Sequence, residues 1–202
     1  MNYLAHLLLG GDEPLARLGG LIADFTRGRL ETLAKQYPAK IVHGISVHRQ
    51  VDRFTDTNAT VALSRAHFSP SRRRYAGIIL DVLHDHYLSC HWMRYSDVSR
   101  DSFIADAYQL LRDNRRHLPE RMQRVAPMMI EQDWLGSYRH IAEIGLVYDR
   151  MSHRLRRPNT LTGAIQEVHA HYQELEQDFM VFFPDVLAHA NRINSLTKRE
   201  EQ

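Results

Sequence analysis

An all-α fold is what this sequence predicts, on three observations. Apolar residues recur at steps of three and four throughout, no alternating run is bounded by a hairpin dipeptide such as Asn-Gly, and Pro and Gly punctuate the periodic segments. At 202 residues the chain is long enough for one well-buried core and short for two, so a single-domain helical bundle spanning residues 1–202 is expected. No internal repeat, low-complexity tract or Gly/Ser-rich linker divides it.

The elements follow in order. A short helix is expected over residues 2–9. In GGDEP, Asp12 is the expected N-cap of the next helix with Pro14 just inside it; Leu15, Leu18, Ile22 and Phe25 form its apolar face, and it ends near Gly28. Pro38 opens a helix running to about Asp56, and a brief helix precedes the Ser69-Pro70 break. The best-defined helix spans about 72–92, RRRYAGIILDVLHDHYLSCHW, with Ile78, Val82, Asp85 and Ser89 on one line and Ile79, Leu83, His86 and Cys90 on the next. Helices at about 99–117, 120–133 and 135–155 follow, the first two separated by Pro119. A long C-terminal helix starts near Asn159 or Thr160 and is broken or kinked at Pro184. The TKREEQ terminus, from about residue 196, should fray.

The 26 basic and 24 acidic side chains nearly cancel, which gives little long-range field for nucleic acid. The 13 histidines are the compositional excess. They invite an acid-base or metal reading, although His67, His117, His140, His153 and His169 are expected as surface or half-buried rings. The single cysteine, Cys90, cannot form an internal disulfide and is expected as a core filler. The start MNYLAHLLLGG lacks a basic n-region and a cleavage pattern, and no uncharged stretch is long enough to cross a bilayer. A cytoplasmic protein without membrane or nucleic-acid partners is expected.

Polar groups interrupt three apolar faces. In HGISVHRQVDRFTDT the stripe begun by Ile41 and Ile45 lands on His48, Asp52 and Thr55, and His48 and Asp52, four apart, stack on one helix face. An inward imidazole and carboxylate need compensation, which a divalent metal or a structural hydrogen bond could supply. In LDVLHDHY, Asp81 and Asp85 are four apart and His86 follows; two such carboxylates repel unless a cation or proton is shared. Asp85 could instead face solvent, and Asp81 could pair with Arg49 or Arg53. In GGLIADFTRG, Gly19 and Gly20 let a helix or a phosphate approach closely, and Arg27 suits a phosphate; Asp24 could equally pair with Arg27. Brought together, these pieces build a carboxylate and imidazole cage inside a helical bundle. Oxygen donors, one or two nitrogens and no thiolate point to Mn, Mg or Fe rather than structural Zn. Phosphoester hydrolysis is the chemistry that most often needs such a cage.

MNYLAH, GGLIADFTRG, GISVHRQVDRFTDT and LDVLHDHYLSCHW, in this order and spacing and continuing through HYQELEQDFMVFFP, closely resemble the acyl carrier protein phosphodiesterases. The resemblance implies an all-helical, HD-domain-like enzyme. It also implies metal-dependent hydrolysis of the phosphodiester joining 4'-phosphopantetheine to a serine of acyl carrier protein, with Mn or a similar ion. The positions matching the family motifs are His6, Asp24, Arg27, His48, Arg49, Asp52, Thr55, Asp56, Asp81, Asp85, His86, His91 and Trp92. The adjacent dyad reads Asp85 then His86, reversed from the usual HD order, so an ordinary HD ligand scheme does not transfer.

The expected division of labour places Asp24, His48, Asp52 and Asp81 on the metal. His6 joins the catalytic set, with Asp85 or His86 positioning water or protonating the departing serine oxygen, and Arg27 and Arg49 on the non-bridging oxygens. An acidic carrier protein needs a basic docking face, for which Arg72, Arg73 and Arg74 are the first candidates. The alternatives are a nucleotide or other small-phosphodiester hydrolase using the same cage, and a helical binding module without chemistry.

Overall fold

The computed structural model describes residues 1–200, with side chains through residue 196, so the expected fraying of TKREEQ lies outside the described side chains. The all-α expectation holds. Among the described residues the regular elements are helices, beginning with α1 (Tyr3–Leu9) and α2 (Pro14–Ile22). Glu13, rather than Asp12, caps α2, accepting from the Leu15 amide, while Asp12 points into solvent. The helix gives way to a tight turn at Ala23–Phe25, short of Gly28.

After α3 (Leu30–Leu33) comes α4 (Ala39–Thr57), with Pro38 at its start as expected. Then follow α5 (Ala59–Ala66), capped by Asn58, and the single turn α6 (Pro70–Arg73). The expected 72–92 helix is therefore shorter, α7 (Ala76–Cys90), because Tyr75 leaves helical geometry at φ −105°, ψ 2°. The middle of the chain supplies α8 (Arg100–Asp113), α9 (Glu120–Glu131), α10 (Trp134–Ser137) and α11 (Ile141–Arg154). The last two split the expected 135–155 helix around a turn at residues 138–140. The expected C-terminal helix also splits, at His171, into α12 (Ala164–Ala170) and α13 (Tyr172–Glu200). α13 continues through Pro184 instead of breaking there; Phe179, Phe182, Phe183, Val186 and Ala190, all buried, hold the flanking turns on the core.

Two features of this packing place the site. α2 crosses α4 backbone to backbone: a Cβ on Gly19 would collide with the Ile41 carbonyl, and one on Gly44 with the Ala16 carbonyl. Only glycine permits that approach. α1, seven residues long and too short to persist alone, is fixed by α7: the Asp85 carboxylate accepts from the amides of Leu4 at 2.7 Å, Ala5 at 3.1 Å and Asn2 at 3.3 Å. It satisfies donors that a helix N-terminus otherwise leaves open. Cys90 is not a core filler: at the end of α7 the chain turns away and the thiol is exposed. Among the described residues, no helix is long and apolar enough to cross a membrane.

Candidate metal centre

α1, α2 and α4 meet where the apolar stripe of α4 turns polar. Ile41 and Ile45 are fully buried, and His48 continues their line into the same interior. Its Nδ1 lies 2.8 Å from the Gly20 carbonyl oxygen, which fixes the ring and leaves Nε2 aimed at two carboxylates. That nitrogen is 3.0 Å from Asp52 Oδ2 and 3.3 Å from Asp24 Oδ1. His6 arrives from α1 and stacks on His48, with ring centroids 3.6 Å apart and planes 20° from parallel. His6 Nε2 is 3.1 Å from Asp52 Oδ1. That contact lacks the alignment of a hydrogen bond, and neither nitrogen of this buried ring has a hydrogen-bond partner among the described residues.

The electrostatics describe a site that wants positive charge. Burial works against a charged His48, yet its contacts with Asp24 and Asp52 raise its pKa to about 9. Burial would raise Asp52, but His48 and His6 hold it well below the usual carboxylate range; Asp24 is lowered in the same way by His48. His6 is pushed down to about 4, by burial first and by the His48 charge second. Further positive charge comes from the Met1 α-amino group, 2.8 Å from Asp81 Oδ1 and 3.6 Å from Asp52 Oδ1. Despite burial, these carboxylates push its pKa up to about 10.

A divalent cation fits this donor set. One ligand atom each from His6, His48 and Asp52 can be chosen so that all lie within 4.8 Å of one another. Two imidazoles and a carboxylate, one imidazole backed by a carbonyl, make a donor set suited to first-row divalent ions. The buried His6 nitrogens without aligned partners are what a ligand ring looks like before it is counted with its ion.

Of the expected metal residues, His48 and Asp52 lie in the cluster, Asp24 touches it through His48, and Asp81 reaches it only through the Met1 amine. His6 sits among the ligand atoms rather than beside them. Asp85, expected near the reacting water, is fully buried and spends its carboxylate on the start of α1; desolvation raises its pKa to about 7. His86 faces away, with Nδ1 2.7 Å from the Tyr138 carbonyl oxygen and Nε2 2.8 Å from the Tyr172 hydroxyl. Arg49 donates to the Gly28 carbonyl at 2.9 Å, tying down the loop that carries exposed Arg27; Gly28 itself needs φ +105°. Arg72 is committed to Glu167 at 2.7 Å and to the Thr160 and Thr162 carbonyls, leaving Arg73 and Arg74 as the exposed members of that run.

Two features of the site were not read from the sequence. The Gly20 carbonyl was hidden because only the close approach of two helices gives it a role, although the Gly19-Gly20 pair marks that approach. The Met1 amine carries no residue-type signal at all.

A family model described as acyl carrier protein phosphodiesterase matches residues 1–186. The chain belongs to the acyl carrier protein phosphodiesterase family. A relative of that name from Photorhabdus laumondii is 37% identical over 191 residues, covering 94% of this chain and 95% of the relative. The Yersinia pestis phosphodiesterase is 36% identical over 191 residues, 94% of this chain and 97% of that protein. The one from Pectobacterium atrosepticum is 37% identical over 188 residues, 93% and 96% of the two chains. No solved structure matches the chain.

Proposed function

We propose that this protein is a cation-dependent hydrolase that removes 4'-phosphopantetheine from the serine of holo acyl carrier protein, giving apo carrier protein and free phosphopantetheine. One observation carries the reading: His6, His48 and Asp52 converge in a chain of this family, with the His6 nitrogens buried and lacking aligned partners. His6, His48 and Asp52 hold the ion, and Asp24, more than half exposed, completes the donor set from the solvent side. Mn is the proposed ion, with Mg or Fe as alternatives. When bound, it supplies charge neutralisation at a phosphoryl group and acidifies water.

The chain's own residues do the rest. The Gly20 carbonyl keeps His48 Nε2 turned inward, and the Asp85 carboxylate keeps α1, and so His6, in register with α4. Asp85 and His86 are positioning residues, Asp85 through α1 and His86 through Tyr138 and Tyr172. Arg27, exposed on the loop after Asp24, is placed to meet a non-bridging phosphoryl oxygen, and Arg49 fixes that loop through Gly28. The macromolecular substrate is an acidic carrier protein, met in the cytoplasm.

Purified protein with Mn, given holo carrier protein and, separately, nucleoside monophosphates and cyclic nucleotides, tests the substrate. Release of free 4'-phosphopantetheine, followed chromatographically by its thiol, is the expected result. Turnover of a nucleotide with holo carrier protein left intact would replace this reading with a small-phosphodiester hydrolase.

A further inference from the structure

Beside the candidate metal centre, between the start of α1 and the α10–α11 pair, lies a partly open slot whose space, counting the solvent at its mouth, is about 560 Å³. Its walls include Asn2, Tyr3, Trp134, Val147 and Met151, with Arg150 and Arg154 as the charged members. It abuts the cluster: Asn2 is one residue from Met1, whose nitrogen is 3.6 Å from Asp52, and consecutive Cα atoms are only ~3.8 Å apart. On the other side Tyr3 stacks on Phe25, with centroids 6.5 Å apart, and Phe25 adjoins Asp24 in sequence.

The chemistry of the slot is mixed in a particular way. Trp134, Val147 and Met151 are half-buried apolar groups on its surface. Among them sit amide and hydroxyl groups, the Asn2 amide donating to the Tyr138 hydroxyl at 3.0 Å. Cations flank the mouth: the Arg154 guanidinium lies 5.9 Å from the Trp134 ring centre, and Arg121 lies 5.6 Å from that of Phe25. Apolar walls with a few polar points suit a narrow, uncharged chain of methyl, methylene and amide groups. Flanking arginines suit a chain joined to a phosphate and leading to an acidic surface.

We propose that this slot holds the pantetheine arm while the phosphodiester lies at the metal centre. The proposal rests on the hydrolase reading above for the identity of the arm. Binding places the phosphate end at Asn2 and Tyr3, the residues nearest the cluster, and runs the arm along Trp134 toward Met151. Arg154 and Arg121 then face the carrier protein, a role that Arg72, held by Glu167, is not free to take.

Pantetheine itself, without phosphate, is the probe. Its titration into the wild-type protein is expected to change the fluorescence of Trp134 saturably, and Trp134→Phe identifies that signal against Trp92. Val147→Phe, which fills the slot away from the cluster, is expected to weaken pantetheine binding and raise the KM for holo carrier protein by roughly tenfold, with kcat nearly unchanged. No saturable Trp134 response, or an unchanged KM in a folded Val147→Phe protein, overturns the proposal. So does a response to a nucleoside monophosphate in place of pantetheine. A Trp134 response to pantetheine without cleavage of holo carrier protein would support the slot and remove the hydrolase reading; cleavage with Trp134 silent would do the reverse.

Discussion

His6 and His48, from helices separated by α2 and α3 in sequence, stack with centroids 3.6 Å apart while both approach Asp52. Two imidazoles so close cannot both be charged without cost. Without an ion His48 carries the charge and His6 stays neutral; the cation proposed above would let both rings bind it in the neutral form. Mn is therefore expected to raise the Tm of the wild-type protein, with about 2.7 kcal/mol of stabilisation at 100 times its Kd. His6→Ala or Asp52→Ala should abolish that gain, as followed by calorimetry with and without chelator. An equal gain in both variants would place the ion elsewhere.

Asp85 separates positioning from proton transfer. Asp85→Ala leaves the amides of Asn2, Leu4 and Ala5 without their acceptor and should cost about 1–3 kcal/mol. Asp85→Asn keeps an acceptor there and should recover much of both stability and kcat. A direct proton donor would not be rescued by asparagine, so loss of kcat in a stable Asp85→Asn protein would return Asp85 to the reaction itself.

The α2–α4 crossing makes a second test of how the site is held. Gly44→Ala drives a methyl group into the Ala16 carbonyl and should destabilise by about 1–3 kcal/mol while weakening Mn binding. The second effect follows because moving α2 also moves the Gly20 carbonyl that orients His48. Gly77→Ala, where a Cβ meets only the end of the Arg65 side chain, is the matched control and should leave Mn binding unchanged.

Much of this was legible in the sequence for a physical reason. Period and punctuation are local, so the α4 stripe from Ile41 to Thr55 could be followed to His48 and Asp52, and the family motifs added His6 and Asp24. Contacts between distant segments carry no such signal. Nothing local distinguishes Asp85, which caps another helix, from Asp81, which meets the Met1 amine. Nor does the RRR run show that Arg72 is tied to Glu167 while its neighbours are exposed. Pro184 shows tertiary packing overriding a local rule, since buried aromatic residues before it and the buried Val186 and Ala190 after it hold α13 on the core.

His84, between Phe179 and Phe182, is buried with Nδ1 lacking a partner, and its pKa falls to about 3, chiefly from desolvation and next from the Met1 ammonium. The unfolded chain takes up this proton near pH 6.5 whereas the folded one does not. Its contribution to stability is therefore full above about pH 6.5 and is lost as pH falls toward 3, with a slope of up to about 1.4 kcal/mol per pH unit. Denaturant titrations from pH 7 to 4.5 should show His84→Leu reducing that slope by about one proton. An unchanged slope would mean that His84 titrates normally in the folded protein.

Intact-mass spectrometry of holo acyl carrier protein incubated with the wild-type protein and with Asp52→Ala, each with Mn and with chelator, tests the central claim most directly. Conversion to the apo mass by the wild-type protein with Mn alone, and in neither Asp52→Ala sample, is the predicted result. Conversion that survives chelator, or that a folded Asp52→Ala protein carries out at the wild-type rate, would contradict it.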